Sequence, residues 1–113
     1  MSKVIPSYMS FEQALMSGYV GRIEDRAYMN WVKTLSCCGC RAPADDPHHL
    51  YGGGFKGMGT KVPDYMTIPL CRVCHDELHR DVDAWEQRNG EQMRHIVMTL
   101  TQAIHEGRLK FHE

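Results

Sequence analysis

The sequence predicts a small α+β domain, stapled by zinc at its centre and padded with helices on both sides. Three observations predict it. Two C-x-x-C pairs, Cys37 with Cys40 and Cys71 with Cys74, close one long loop. Within that loop, residues 65–70 alternate with the period of a strand, while outside it apolar residues recur at helical spacing. A length of 113 residues leaves room for one core and therefore one domain. Residues 1–36 form a helical flank, 37–80 the zinc-closed centre and 81–113 the carboxy-terminal helices.

Near the amino terminus, FEQALM is a short amphipathic piece that Ser10 can cap. The segment 24–35 spaces Ala27, Met29, Trp31, Val32 and Leu35 close to a helical period, with acidic residues first and Lys33 near the end. The turn-forming run SCCGCRAPADDP then closes on Pro47, after which His48, His49 and Leu50 can make a short strand. The glycine-rich run YGGGFKGMGT lacks the spacing of a phosphate-binding P-loop. It suits either a plain connection or a backbone that approaches a phosphate closely.

Residues 65–70 should turn Met66, Ile68 and Leu70 inward and Tyr65, Thr67 and Pro69 outward, with Pro69 marking an edge. A helix should run over 72–80. Asp83 and Glu86 have the spacing of a capping box for a helix that ends near Gly90. In the last helix Met93, Ile96, Val97, Leu100, Ala103 and Ile104 share a stripe, Arg94, His95, Thr99, Gln102 and His105 face away, and Gly107 ends it. His95, His105 and His112 lack partners at ligand spacing and read as solvated surface.

Composition bounds the function. The net charge is -1 and no basic arm is present, so phosphate binding would have to rest on local charge. Between residues 47 and 72 the chain carries Lys56, Lys61 and Arg72 against Asp64 alone. No apolar run reaches the ~20 residues of a membrane span, and the first residues lack a signal peptide's apolar region, so a cytoplasmic protein is expected. Five cysteines, four of them paired by spacing, suit metal binding in a reducing compartment better than a disulfide framework.

Four thiolates from two tight turns make a closed tetrahedral zinc site. A redox dithiol fits less well, because no thioredoxin-like pattern accompanies the pairs. Cys38 is left as a small buried hydrophobe. Four of the seven histidines lie within the same stretch: His48 and His49 adjacent, His75 and His79 at i and i+4 on one helical face. They point to a second metal or catalytic site. Cys74 and His75 project about 100° apart, so one helix can serve both sites. On a regular strand His48 and His49 face opposite ways.

These residues, C-x-x-C, then HHL, then PLC followed by C-R-V-C-H-D-E-L-H, resemble the HNH (ββα-metal) endonucleases over roughly residues 35–79. The stretch HHLYGGGFKGMGTKVPDYMTIPLCRVCHDELH is most similar to phage and prophage nucleases of the Ref (recombination enhancement function) type. The resemblance implies a ββα-metal core and a DNA endonuclease. In it His48, His75 and His79 hold a catalytic ion and His49 is the general base. The family's middle asparagine has no counterpart; Asp64 stands nearest its place, to orient the loop or reach the ion.

An imidazole can take a proton from water near neutrality, and a divalent ion can collect charge on the phosphate oxygens. Imidazoles suit Zn²⁺, whereas a carboxylate from Asp64 would tilt the choice to Mg²⁺ or Mn²⁺. Lys56, Lys61 and Arg72 would meet DNA phosphates, with Arg41 and Arg80 as further candidates, and with little sequence preference. The likeness also implies a bacterial host cell and a recombinase filament as a candidate partner, while the carboxy-terminal helix leaves a monomer or a homodimer open and the lack of a long apolar run argues against membrane contact. The alternative, from another class, is a non-catalytic zinc module that binds nucleic acid or a protein.

Overall fold

In the computed structural model, residues 5–17, 19, 23–51 and 62–109 are described. Their elements run α1 (Phe11–Met16), α2 (Arg26–Val32), β1 (Asp46–His49), β2 (Thr67–Leu70), α3 (Arg72–Arg80), α4 (Val82–Asn89) and α5 (Gln92–His105). The result is a mixed α+β fold with one two-stranded sheet among the described residues. Residues 52–60 of the glycine-rich run, with Lys56 among them, and Lys61 and His112 lie outside them.

Two short helices precede the cysteines. In α1, Ser10 and Gln13 cap each other: the Gln13 N–H donates to Ser10 Oγ at 3.0 Å and the Ser10 N–H to Gln13 Oε1 at 2.8 Å. In α2, Asp25 is the N-cap and its Oδ1 accepts from the Tyr28 N–H at 2.9 Å. The helix is shorter than the segment 24–35 suggests, and it buries Tyr28, Trp31 and Val32 while Ala27 stays exposed. Tyr28 was missing from the expected stripe because its hydroxyl reads as polar; its ring packs edge-on to Tyr65, with centroids 5.1 Å apart.

β1 and β2 run antiparallel, pairing Asp46 with Leu70, Pro47 with Pro69, His48 with Ile68 and His49 with Thr67. The Pro47–Pro69 rung has no N–H to give, so the pairing leans on its surroundings. The Asp45 N–H donates to the Leu70 carbonyl, the Leu50 N–H to that of Met66, and the Cys38 N–H to that of Pro69. A two-stranded sheet is marginal alone; α2, α3 and α5 pack against it. That cover overturns the expected in-out alternation of β2, for all four of its residues are buried.

α3 spans 72–80 as expected. Asp81 closes α3 and caps α4, its Oδ1 accepting from the Ala84 N–H at 3.1 Å. The cap is therefore Asp81 rather than Asp83, and Glu86 instead accepts from the Gln92 N–H at 2.9 Å. Gly90 ends α4 and Gly107 follows α5, both at positive φ.

α5 is rotated from its expected stripe. Val97 and Ile104 are exposed, whereas Thr99 and Gln92 are buried. Thr99 can be buried because its hydroxyl donates to the His95 carbonyl at 2.7 Å. His95 is not free surface either: its Nε2 meets the Asn89 carbonyl oxygen at 2.6 Å and its ring lies edge-on to Trp85. The main core gathers Ile68, Leu70, Leu78, Trp85 and Ile96 around Cys37, Cys71 and Cys74. A second cluster holds Tyr28, Trp31, Val32 and Ala103, and Leu100 packs against both.

Candidate metal centre

The cysteine loop folds tightly before any side chain is placed. The Arg41 N–H donates to the Cys37 carbonyl at 3.0 Å and the Cys37 N–H to that of Ala42 at 2.6 Å, while Ser36 bridges Pro43. Across the core, Cys71 caps α3 and its Sγ accepts from the Cys74 N–H at 3.5 Å. Gly39 sits where there is little room for a side chain. A Cβ there would lie 3.1 Å from Cys74 Sγ and 3.2 Å from the Trp85 ring.

This backbone brings the four expected sulfurs, Cys37, Cys40, Cys71 and Cys74, within 4.8 Å of one another, close enough to hold one metal ion. Without an ion their surroundings pull the thiols apart: burial and the adjoining Cys37 sulfur raise Cys74, Cys71 is raised too, and Cys37 is lowered. Burial alone would raise the Cys37 thiol, but backbone N–H groups around it outweigh that and hold it at about 7. Among them is the Gly39 N–H, 3.4 Å from Cys37 Sγ. Cys38 stays outside the set, half-buried against the core, and burial pushes its thiol up to about 12.

The second cluster comes from β1 and α3. His48, His75 and His79 present nitrogens within 4.8 Å of one another. Their rings form a triangle, with centroids 4.6 Å apart for His48 and His75, 5.0 Å for His48 and His79, and 4.8 Å for His75 and His79. The i, i+4 spacing on α3 supplies two rings, and the antiparallel register of β1 brings the third beneath them.

The fit to a metal rests on His48. It is 5% exposed and its Nε2 is buried without a hydrogen-bond partner. A buried polar nitrogen left so is costly unless an ion takes its lone pair. Burial, then the neighbouring imidazoles of His75 and His79, push His48 down to about 3, which keeps that lone pair free of a proton near neutrality. Burial likewise lowers His79.

Asp46 orients the second ligand. Its Oδ2 lies 3.1 Å from His75 Nδ1, so Nδ1 carries the proton and Nε2 keeps the lone pair for an ion. Burial falls from His48 through half-buried His75 to exposed His79, so the cluster opens to solvent on the His79 side. Tyr51 stacks on His79 with centroids 4.0 Å apart. Buried Gln92 pins Tyr51 by accepting from its N–H at 3.0 Å and donating to its carbonyl at 2.8 Å.

His49 leaves the cluster, as strand alternation requires. Its Nε2 lies 2.8 Å from Oδ1 of Asp64, which is 1% exposed. The other carboxylate oxygen of Asp64 accepts from the Asp25 N–H at 2.8 Å. Asp64 therefore stands against His49 and is not among the three grouped ligands. Arg72, expected on phosphates, lies 3.0 Å from Asp46. Lys56 and Lys61 lie outside the described residues.

Sequence reasoning missed Asp46, Tyr51 and Gln92. A signal for Asp46 existed, since it lies two residues before His48 and so on the same face of the strand.

The fold and its two donor clusters define a small α+β domain with two sites able to hold metal ions. A family profile described as "Protein of unknown function (DUF968)" matches residues 15–107, and the chain belongs to that family. Uncharacterized protein YdfU of Escherichia coli (strain K12) is 49% identical over 77 residues, 68% of this chain. The match spans 22% of that relative's length. No solved structure matches the chain. No helix among the described residues is long and apolar enough to cross a membrane.

Proposed function

We propose that this domain is a metal-dependent DNA endonuclease with a ββα-metal core of the HNH kind. In this reading Cys37, Cys40, Cys71 and Cys74 hold a structural zinc, and His48, His75 and His79 hold the catalytic ion. One observation carries it: neighbours on β1 divide between an open three-imidazole cluster, which takes His48, and a carboxylate-backed imidazole, which is His49. Four ligands close a structural site, whereas three leave the position that substrate or water needs.

Three nitrogens and no grouped carboxylate suit Zn²⁺ or another transition ion better than Mg²⁺. The bound ion would supply a Lewis acid for the phosphate and leaving oxygens. The remaining work falls to the protein. Asp64 accepts the Nε2 proton of His49, which leaves Nδ1 to draw a proton from water. Asp46 holds His75 in the tautomer that ligation needs. Lys56, Lys61 and Arg72 would contact phosphates, with Arg72 exchanging its Asp46 partner for DNA. The same reading puts the domain in a reducing bacterial cytoplasm.

The test is plasmid cleavage by the zinc-loaded chain across a series of divalent ions. His49→Ala should keep fold and metal while cutting ~10²- to 10⁴-fold more slowly. Cutting at the parent rate would sink the base assignment. A parent that cuts no DNA with any ion would leave the non-catalytic zinc module in its place.

A further inference from the structure

A groove that shares no residue with the histidine cluster runs between the cysteine loop, the end of α4 and one side of α5. Its volume is about 920 Å³. Arg41, Arg88 and Arg94 line it together with His95 and His105, and no carboxylate does. In a chain whose net charge is -1, three guanidinium groups in one acid-free groove are a local concentration of charge.

None of the three is bound into the fold. Arg88 reaches only Glu77, at 3.9 Å, and among the described residues Arg41 and Arg94 carry no ion pair. Arg41 also adopts φ 72°, a left-handed conformation that glycine or asparagine would take with less strain.

We infer that this groove grips the phosphate backbone of duplex nucleic acid. Guanidinium groups match phosphate oxygens in a planar, two-point geometry. The lining offers no Phe, Tyr or Trp on which a splayed base would stack. His95, a ring in the lining, is already committed to the Asn89 carbonyl. The groove therefore meets backbone and not bases, which sets register without reading sequence. The inference rests on the proposal that DNA is the substrate and assigns where it is held. Binding tests it, so it can fail or stand apart from cleavage.

The experiment uses the full zinc-loaded chain carrying His49→Ala, so that DNA stays intact. Anisotropy of a labelled duplex is followed across a salt series, with single-stranded DNA, inorganic phosphate and a mononucleotide as competitors. Arg41→Ala/Arg88→Ala/Arg94→Ala should lose about tenfold or more in affinity and flatten the slope of log K against log salt by roughly 2.7, about 0.9 per lost phosphate contact. Arg94→Ala alone should flatten it by about 0.9, and Arg94→Lys should restore it. Undiminished affinity and slope in the triple variant would overturn the inference, as would a parent that does not bind duplex. So would a single strand or a mononucleotide that binds more tightly than the duplex. Arginine-dependent duplex binding by a parent that never cuts would uphold the groove while refuting the nuclease.

Discussion

Asp64→Asn separates a catalytic arrangement from a merely structural one. The carboxylate is buried and links two elements: Oδ1 meets His49 Nε2 at 2.8 Å, and Oδ2 accepts from the Asp25 N–H at 2.8 Å. Asp25 in turn caps α2 and accepts the Tyr65 hydroxyl proton. Asparagine keeps the shape but has one oxygen. If that oxygen stays with Asp25, the amide N–H₂ confronts the N–H of His49, donor against donor. The ring relieves this by moving its proton to Nδ1, which removes the lone pair proposed to act on water.

A hydrogen bond to a charged group is worth about 1.5–3 kcal/mol net. At 1.36 kcal/mol per factor of ten, its loss from the transition state alone slows cleavage about 10- to 150-fold. Tautomer inversion adds to that, towards the ~10²- to 10⁴-fold worth of a general base. Stability should fall by about 1–3 kcal/mol. Steady-state cleavage of a short duplex should show kcat reduced and KM unchanged, with metal retained at the three histidines. Full kcat in a destabilised variant would reduce Asp64 to a structural bolt. Loss of the histidine-bound ion would instead make it a ligand.

Metal analysis of chain purified without chelator should find about one tightly held zinc per chain on the thiolates, and Cys71→Ser or Cys74→Ser should unfold the domain; variants that melt like the parent would refute the four-cysteine staple. Asp46→Asn should weaken ion binding at the histidines by about 10- to 100-fold while leaving the cysteine-bound metal in place, as titration with a competing chelator would show. Acid should weaken the fold through His48. Its folded pKa of about 3 lies below the ordinary 6.5, so its contribution is present above 6.5 and is lost as pH falls through that window towards 3, at about 1.4 kcal/mol per pH unit. Urea midpoints from pH 7 to pH 4 should therefore fall more steeply for the parent than for His48→Asn; parallel curves would contradict the burial of a neutral imidazole.

The parts of this protein set by short-range spacing were legible in its sequence. Two C-x-x-C pairs fix four sulfurs, and His75 with His79 needs only the helical period to share a face. The helix over 72–80 followed from the same pattern. Pairing between distant strands was less legible. Neither the place of His48 beneath α3 nor the carboxylate of Asp46 against His75 follows from local period, since both depend on the register of β1 with β2. The stripe of α5 was misread because Gln92 and Thr99 are polar by type, yet their hydrogen bonds are met inside the fold. Hydrophobic pattern cannot see a buried polar group that finds its partner.

The two clusters share α3, and that sharing has a physical consequence. A nine-residue helix is not stable alone in water. Its first turn is fastened by Cys71 and Cys74, while His75 and His79 follow on the next residues of the same rigid backbone. A metal on the sulfurs would fix both the position of the helix start and its rotation about its axis, and each residue after Cys74 then turns by about 100° to a determined direction. The imidazoles would be aimed when the domain folds, before any ion reaches them, so their ordering entropy is not charged against binding at the second site. Only His48 comes from elsewhere, and its strand is bound to the same region through Asp46, which touches both His75 and Arg72 of α3. The sulfur cluster would thus act on the chemistry at a distance, by holding still the helix on which two of its three ion ligands stand.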